Sequence, residues 1–181
     1  HHIIQKLRGV FGVRLGVLYQ RLPIPMVLPK SYKNPGITKK PPLKISIVTP
    51  AYKHAAFIER TLKSVLDQEY PNLEYFVQDG ASEDGTKEIL EKYNGRLAGW
   101  ESIADGGQSQ AINLGMHKTT GDIMAWLNSD DILLPGSLAC VSDYFSCHPD
   151  VDVVYGHRIL IDEQDHKIGR WMLPTHDNDI L

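Results

Sequence analysis

Cysteine is almost absent from this 181-residue chain, with only Cys140 and Cys147 present. On one helix that pair stands roughly 10 Å apart along the axis, too far for a disulfide unless the helix breaks. A disulfide scaffold is excluded, and a reducing compartment fits. Paired histidine ligands are missing as well: His1 and His2 look like a tag remnant, and the other histidines show no His-x-x-x-His spacing, so no zinc site is read. No apolar run reaches transmembrane length. Arg14 interrupts the N-terminal apolar stretch where a signal peptide needs an uncharged middle, so secretion is not expected. Positive charge is not in excess either. The formal net charge of -3 removes the footprint that a nucleic-acid binder carries.

What is present is an apolar fraction of 42% with a charged fraction of 23%. That is enough to bury one substantial core, so one α/β domain with an appended arm is expected. Residues 1–22 read as an amphipathic helix, with Ile3, Leu7, Val10, Phe11, Leu15, Leu18 and Leu22 on one face and Lys6, Arg8, Arg14 and Arg21 interleaved. Gly9, Gly12 and Gly16 weaken it. Such a helix packs on its own domain, which is the plainer reading, or lies on anionic membrane. A cytoplasmic protein is expected, and the second reading makes it peripheral at the inner membrane face. Residues 23–43 carry Pro23, Pro25, Pro29, Pro35, Pro41 and Pro42, which fix extended backbone and remove donors, so they form a linker or wrapping arm. The domain proper is expected over residues 44–181.

Within it, strand and helix patterns alternate. Lys44 to Thr49 reads as a buried strand closed by Pro50, and Phe57, Ile58, Leu62, Val65 and Leu66 mark the core side of a helix. Leu73 to Val77 gives a second strand ending at Asp79-Gly80, with Asp84 placed to cap the helix that holds Ile89 and Leu90. A third strand falls around Leu97 to Ile103, and a helix from Ser109 to Lys118 leads through Gly121 to a central strand, Ile123 to Leu127. A helix from Gly136 to Cys147 and an apolar strand Asp152 to Tyr155 complete the alternation. Arg158 to Ile161 and Lys167 to Met172 then flank a C-terminal β-hairpin. The fold class is α/β, a mostly parallel sheet with flanking helices.

In such a sheet every parallel strand ends at one edge, so the loops Thr49-Pro50-Ala51-Tyr52, Asp79-Gly80-Ala81-Ser82, Asp105-Gly106-Gly107-Gln108 and Asn128-Ser129-Asp130-Asp131 line one crevice. Each alone is unremarkable: Asp-Gly is a common turn, and an Asp-Asp pair is most often a solvated loop or an N-cap. Together they suggest a nucleotide. A strand-end Asp accepts from a base or ribose, Tyr52 offers an aromatic face, and the amides at Gly107-Gln108 suit a phosphate at a helix start. A diphosphate near Asp130 and Asp131 is repelled unless Mg²⁺ or Mn²⁺ bridges the charges. There is no Gly-x-x-x-x-Gly-Lys-Ser/Thr loop and no Gly-x-Gly-x-x-Gly after the first strand, which leaves sugar transfer from a nucleoside diphosphate.

The ordered set Ile47-Val48-Thr49-Pro50-Ala51-Tyr52, Asp79 to Thr86 and Trp126-Leu127-Asn128-Ser129-Asp130-Asp131 resembles the family 2 glycosyltransferases of the GT-A fold, a Rossmann-like architecture, from about Lys44 to Met172. The resemblance implies an inverting, metal-assisted transfer from a nucleotide sugar, a UDP-sugar favoured, to a hydroxyl of a saccharide or lipid-linked acceptor. It places Thr49, Pro50, Ala51, Tyr52, Asp79, Asp84, Gly107, Gln108, Asn128 and Ser129 at the nucleotide, and Asp130 and Asp131 at the metal. Two departures accompany it. Asn128 stands where the family's Asp-x-Asp begins with a carboxylate, and an amide oxygen binds a divalent ion less strongly. The general base and acceptor region lie well downstream in that family, so the base is expected beyond Leu181; Asp162, Glu163, Asp165 and Asp177 are acids without an assigned role. Two further readings stand beside transfer. A binding-only module would hold the donor without transferring it, and a sugar nucleotidyltransferase would share sheet and metal but lacks a glycine-rich, lysine-bearing loop after the first strand.

Overall fold

The computed structural model describes residues 4–8, 14–28 and 41–174. The chain divides into two compact units, His1–Pro29 with Asp152–Leu181, and Lys30–Val151.

The larger unit is built on a parallel sheet of β3 (Ile45–Ala51), β4 (Leu73–Asp79), β5 (Gly99–Ser102) and β6 (Ile123–Trp126), in the order β5-β4-β3-β6. All seven residues of β3 are buried, as befits an inner parallel strand covered on both faces. Helices α1 (Ile58–Leu66), α2 (Thr86–Lys92), α3 (Gln108–Met116) and α4 (Ser137–Cys147) follow the strands in turn. The core gathers Ile45, Ile47, Ile58, Leu62, Val65, Tyr75, Val77 and Leu90. In α1 the buried positions Ile58, Thr61, Leu62, Val65 and Leu66 form one stripe at helical spacing. Val48 occupies the space at Gly115 of α3, where any side chain would collide with it, so the glycine lets that helix approach the sheet.

Three expectations change within residues 84–155. The strand read as central, β6, pairs only with β3 among the described residues, and Met124 and Trp126 are exposed on it. The apolar run Asp152 to Tyr155 forms no strand; Val153 and Tyr155 are exposed, and an apolar segment without a pairing partner has no ladder to join. Asp84 does accept from the Thr86 amide, at 3.1 Å, but Gly85 occupies the N-cap position.

The smaller unit is an antiparallel sheet of β1 (Ile4–Arg8), β2 (Arg14–Pro25), β8 (His166–Met172) and β7 (Arg158–Ile161), in that order. The C-terminal hairpin is present as expected. The N-terminal helix is not: residues 4–8 and 14–25 are strands, and the second pairs with β8, almost 150 residues downstream. Gly16 has φ +99°, and a side chain there would strike the Met172 carbonyl, a conformation and a contact that only glycine accepts. The domain boundaries shift accordingly. Residues that were to precede the domain share a sheet with its end, and of the proline-rich segment, Pro23 to Pro25 belong to β2 while residues 29–40 lie outside the described residues.

Candidate functional site

The carboxyl ends of β3 to β6 deliver four loops to one edge of the parallel sheet, and hydrogen bonds tie them together. The Gly80 amide donates to the Ala51 carbonyl at 2.8 Å and the Ile103 amide to the Asp79 carbonyl at 2.9 Å, which carries the ladder past the strand ends. A side chain added at Gly80 would lie 3.2 Å from the Tyr52 ring and 3.4 Å from the Asp105 carboxylate. Tyr52, Gly80 and Asp105 therefore converge from three loops on one open cradle, with the Tyr52 ring 58% exposed and the Lys53 ammonium 5.2 Å from its centroid.

Beneath the cradle, Asp79 is fully buried. Its Oδ1 accepts from the Ser82 hydroxyl at 2.5 Å, and its Oδ2 accepts from the Ser82 amide at 2.9 Å and the Ser102 hydroxyl at 2.6 Å. Ser82 Oγ in turn accepts from the Lys53 amide at 2.8 Å. Lys53 and Ala81 hold left-handed backbone, φ +55° and +60°, a conformation that non-glycine residues keep only when their surroundings enforce it. Asp84 braces the same loops: Oδ2 accepts from the Ala55 amide at 3.0 Å and Oδ1 from the Thr86 hydroxyl at 2.6 Å. Burial pushes the Asp84 carboxyl up, but these hydrogen bonds outweigh it and hold the group below its usual range.

The loop after β6 is clamped from two sides. His54 Nδ1 lies 2.5 Å from the Ser129 hydroxyl, and the Thr61 hydroxyl donates to the Ser129 carbonyl at 2.9 Å. Asn128 bridges to the third loop, its Oδ1 accepting from Gln108 Nε2 at 2.7 Å and its Nδ2 donating to Asp131 Oδ2 at 3.2 Å. Asp130 and Asp131 are exposed at the tip.

The sequence-predicted residues thus divide. Tyr52, Asp84, Gln108, Asn128, Asp130 and Asp131 reach the open edge. Thr49, Pro50, Ala51 and Ser129 are buried below it, because β3 continues through Ala51 and Thr49 spends its hydroxyl on Tyr75 at 2.8 Å. Asp79, expected to meet a base, is buried and ties its own loop to Ser102 at the end of β5 and, through Ser82, to the loop after β3. The Gly107 amide, expected at a phosphate, donates to Asp105 Oδ1 at 2.8 Å. His54, Thr61, Ser102 and Asp105 were not singled out; only Asp105 carried a signal, as the first residue of a loop already marked.

Asp130 and Asp131 are oxygen donors of the kind a hard divalent cation takes, while Asn128 turns its Nδ2 toward Asp131 and its Oδ1 toward Gln108. Among the described residues no group of three or more His, Cys, Asp or Glu gathers. Two carboxylates with substrate phosphates completing the shell is the pattern Mg²⁺ favours. In the smaller unit the hairpin acids serve their turn, Asp162 Oδ1 accepting from the Gln164 and His166 amides at 3.0 and 2.8 Å. Asp177 lies outside the described residues.

Fold and edge define a class: an α/β domain whose polar loops gather at the carboxyl ends of parallel strands, the edge where open α/β sheets bind ligands. The model of glycosyl transferase family 2 matches residues 46–178, and the chain belongs to that family. A Bacillus subtilis protein named for teichuronic acid biosynthesis, TuaG, is 36% identical over 90 residues, 48% of this chain and 36% of its own length. The structure of S. aureus TarS residues 1–349 in complex with UDP-GlcNAc aligns with a TM-score of 0.55 at 26% identity, over 59% of this chain and 32% of that one. The mannosyltransferase PcManGT from Pyrobaculum calidifontis, in complex with GDP-Man and Mn²⁺, shares the fold at a TM-score of 0.54 and 24% identity, covering 70% of this chain and 41% of that one. The fold is of the GT-A type. The chain spans well under half the length of these relatives, and no helix among the described residues is long and apolar enough to cross a membrane.

Proposed function

We propose that the carboxyl-edge crevice holds a nucleoside diphosphate sugar and presents it for inverting transfer to an acceptor hydroxyl. The observation that carries this reading is the convergence of Tyr52, Gly80 and Asp105 on one open cradle, beside a loop whose two exposed carboxylates have no ion pair among the described residues. Tyr52 gives the base a face to stack on. Asp105 and the loop braced by Asp79 and Asp84 border the nucleoside, and Gln108 and Asn128 link that side to the diphosphate side. Asp130 and Asp131 would hold Mg²⁺ or Mn²⁺, which when bound offsets the charge of the diphosphate leaving group.

In the transfer, the acceptor oxygen forms its bond to the anomeric carbon as the bond from that carbon to the diphosphate oxygen breaks. The acceptor proton passes to a general base outside the crevice residues named above. A UDP-sugar is the favoured donor, since TarS binds one at 26% identity. A saccharide or lipid-linked acceptor agrees with the naming of TuaG for teichuronic acid biosynthesis.

The test is a thermal-shift comparison of UDP-sugars and GDP-sugars with and without Mn²⁺, followed by a transfer assay. Stabilisation that needs both nucleotide and metal supports the reading, at about 2.7 kcal/mol for ligand at a hundredfold its Kd. No stabilisation by any nucleotide sugar defeats it. Stabilisation without transfer would favour a binding-only module.

A further inference from the structure

The antiparallel unit carries a cluster of charge that the crevice does not use. A cavity of about 470 Å³ opens on β2 and β8, lined chiefly by Tyr19, Arg21, Lys167, Gly169, Arg170 and Met172. Three of these are cations, and irregularities in the ladder bring them to one side. Lys167 and Arg170 are three positions apart, which on a regular strand puts them on opposite faces. The register against β7 runs from Leu160↔Gly169 to Ile161↔Lys167, so Ile168 is an extra residue on β8 and the alternation reverses there. Against β2 it runs from Gln20↔Gly169 to Ile24↔Lys167, which bows Arg21 to Pro23 out opposite a single residue. Gly169 keeps the floor open, since a side chain there would meet the Tyr19 carbonyl at 2.5 Å.

Among the described residues no carboxylate pairs with these cations. Among the described residues, none of the three side chains has an ion pair or a side-chain hydrogen bond. Burial, then Arg21 and Arg170, hold the Lys167 ammonium below its usual range. Lys167 is half-buried and Arg21 and Arg170 are exposed, and cations gathered this way repel one another until an anion enters. Beside them Leu22 is 84% exposed and Val27 85% exposed, and cations flanked by exposed apolar side chains suit a surface that meets anionic headgroups.

We propose that this cavity is a phosphate-binding site, filled by a phosphate group from an anionic lipid headgroup or from a soluble phosphate ester. It is independent of whatever the crevice binds. Two probes of the whole chain separate the sources: co-sedimentation with phosphatidylglycerol or phosphatidylcholine vesicles, and titration with inorganic phosphate followed at the backbone amides of Gly169 and Arg170. Sedimentation with phosphatidylglycerol alone supports the headgroup; phosphate-induced shifts at Gly169 and Arg170 without sedimentation support a soluble ester. In either case the double variant Arg21→Gln, Arg170→Gln should weaken binding by about 30-fold, while the exposed Lys87→Gln on α2 leaves it unchanged. If the double variant misfolds by circular dichroism, Arg170→Gln alone should still cost about fivefold. Binding that the variants leave unchanged, or no response to either probe, overturns the proposal.

Discussion

The two edges of the parallel sheet are built from the same residue types to opposite ends. At the amino edge, Glu74 accepts from Lys44 Nζ at 2.7 Å, from Ser46 Oγ at 2.6 Å and from the Thr120 amide at 2.6 Å. Ser46 Oγ then accepts from the Gly121 amide at 2.8 Å, and Asp122 Oδ2 from the Lys44 amide at 2.9 Å. Burial pushes Glu74 up, but Lys44, Ser46 and Thr120 outweigh it and bring its carboxyl down to about 2. At the carboxyl edge, Asp130 and Asp131 stand exposed, and Lys53 and Ala81 hold strained backbone. A closed polar network stabilises the fold; an open one is where a ligand finds unspent groups. Substitutions should therefore separate, with amino-edge changes moving stability and carboxyl-edge changes moving ligand binding.

Asp79 is the residue that joins the two behaviours, and Asp79→Ala should have the largest effect. It removes a buried acceptor from three donors, at a cost of about 3 kcal/mol, and it frees Ser82 from the anchor that positions Lys53. Urea unfolding should show the loss of stability and calorimetry a matching loss of UDP affinity; intact affinity would separate Asp79 from the crevice.

Glu74→Gln comes next, at about 2 kcal/mol near pH 7. The folded carboxyl lies at about 2 against an ordinary 4.5. Its contribution is therefore complete above about pH 4.5 and shrinks as pH falls toward 2. Urea midpoints of the parent and the variant should converge across that window while nucleotide binding at pH 7 stays equal; a constant gap would contradict the assignment.

His54→Ala should cost about 1 kcal/mol by releasing Ser129, with Mn²⁺-dependent UDP binding weakened beyond the change in melting temperature. Asn at the same position keeps a side-chain partner for the hydroxyl and should recover part of the binding.

Gln78 gives the smallest effect and the opposite sign. It is fully buried on β4, and neither amide atom has a hydrogen-bond partner among the described residues. Gln78→Met, of similar volume, should leave stability unchanged or raise it by up to about 1 kcal/mol, because no bond is lost and an unpaired amide is removed. A drop measured by thermal melting would reveal a partner for that amide.

The comparison also explains what the sequence could reveal. Apolar runs bounded by Pro50, Asp79-Gly80 and Gly121 exposed the parallel alternation, because a buried strand between helices leaves few other patterns. Residues 3–22 misled because leucines at helical spacing also fill both faces of a strand, and the deciding partner, β8, is remote in sequence. The crevice loops were legible as strand ends, but their depth was not. Two further residues of pairing, Pro50↔Gln78 and Ala51↔Asp79, bury the end of β3 and turn Asp79 into a brace. Ser102 and Thr61 reach the site only through the fold, and no local pattern marks them.

The most direct test is a map of where the nucleotide binds. UDP is titrated with Mn²⁺ into the chain and into Asp130→Ala, and backbone amide signals are followed residue by residue. The parent should shift at 52–55, 80–84, 105–108 and 128–131. The variant should fold with stability within about 0.5 kcal/mol of the parent, yet lose the Mn²⁺-dependent part of those shifts. Shifts centred on the amino edge, around Glu74 and Thr120, or Mn²⁺-dependent shifts that persist in Asp130→Ala, would contradict the account.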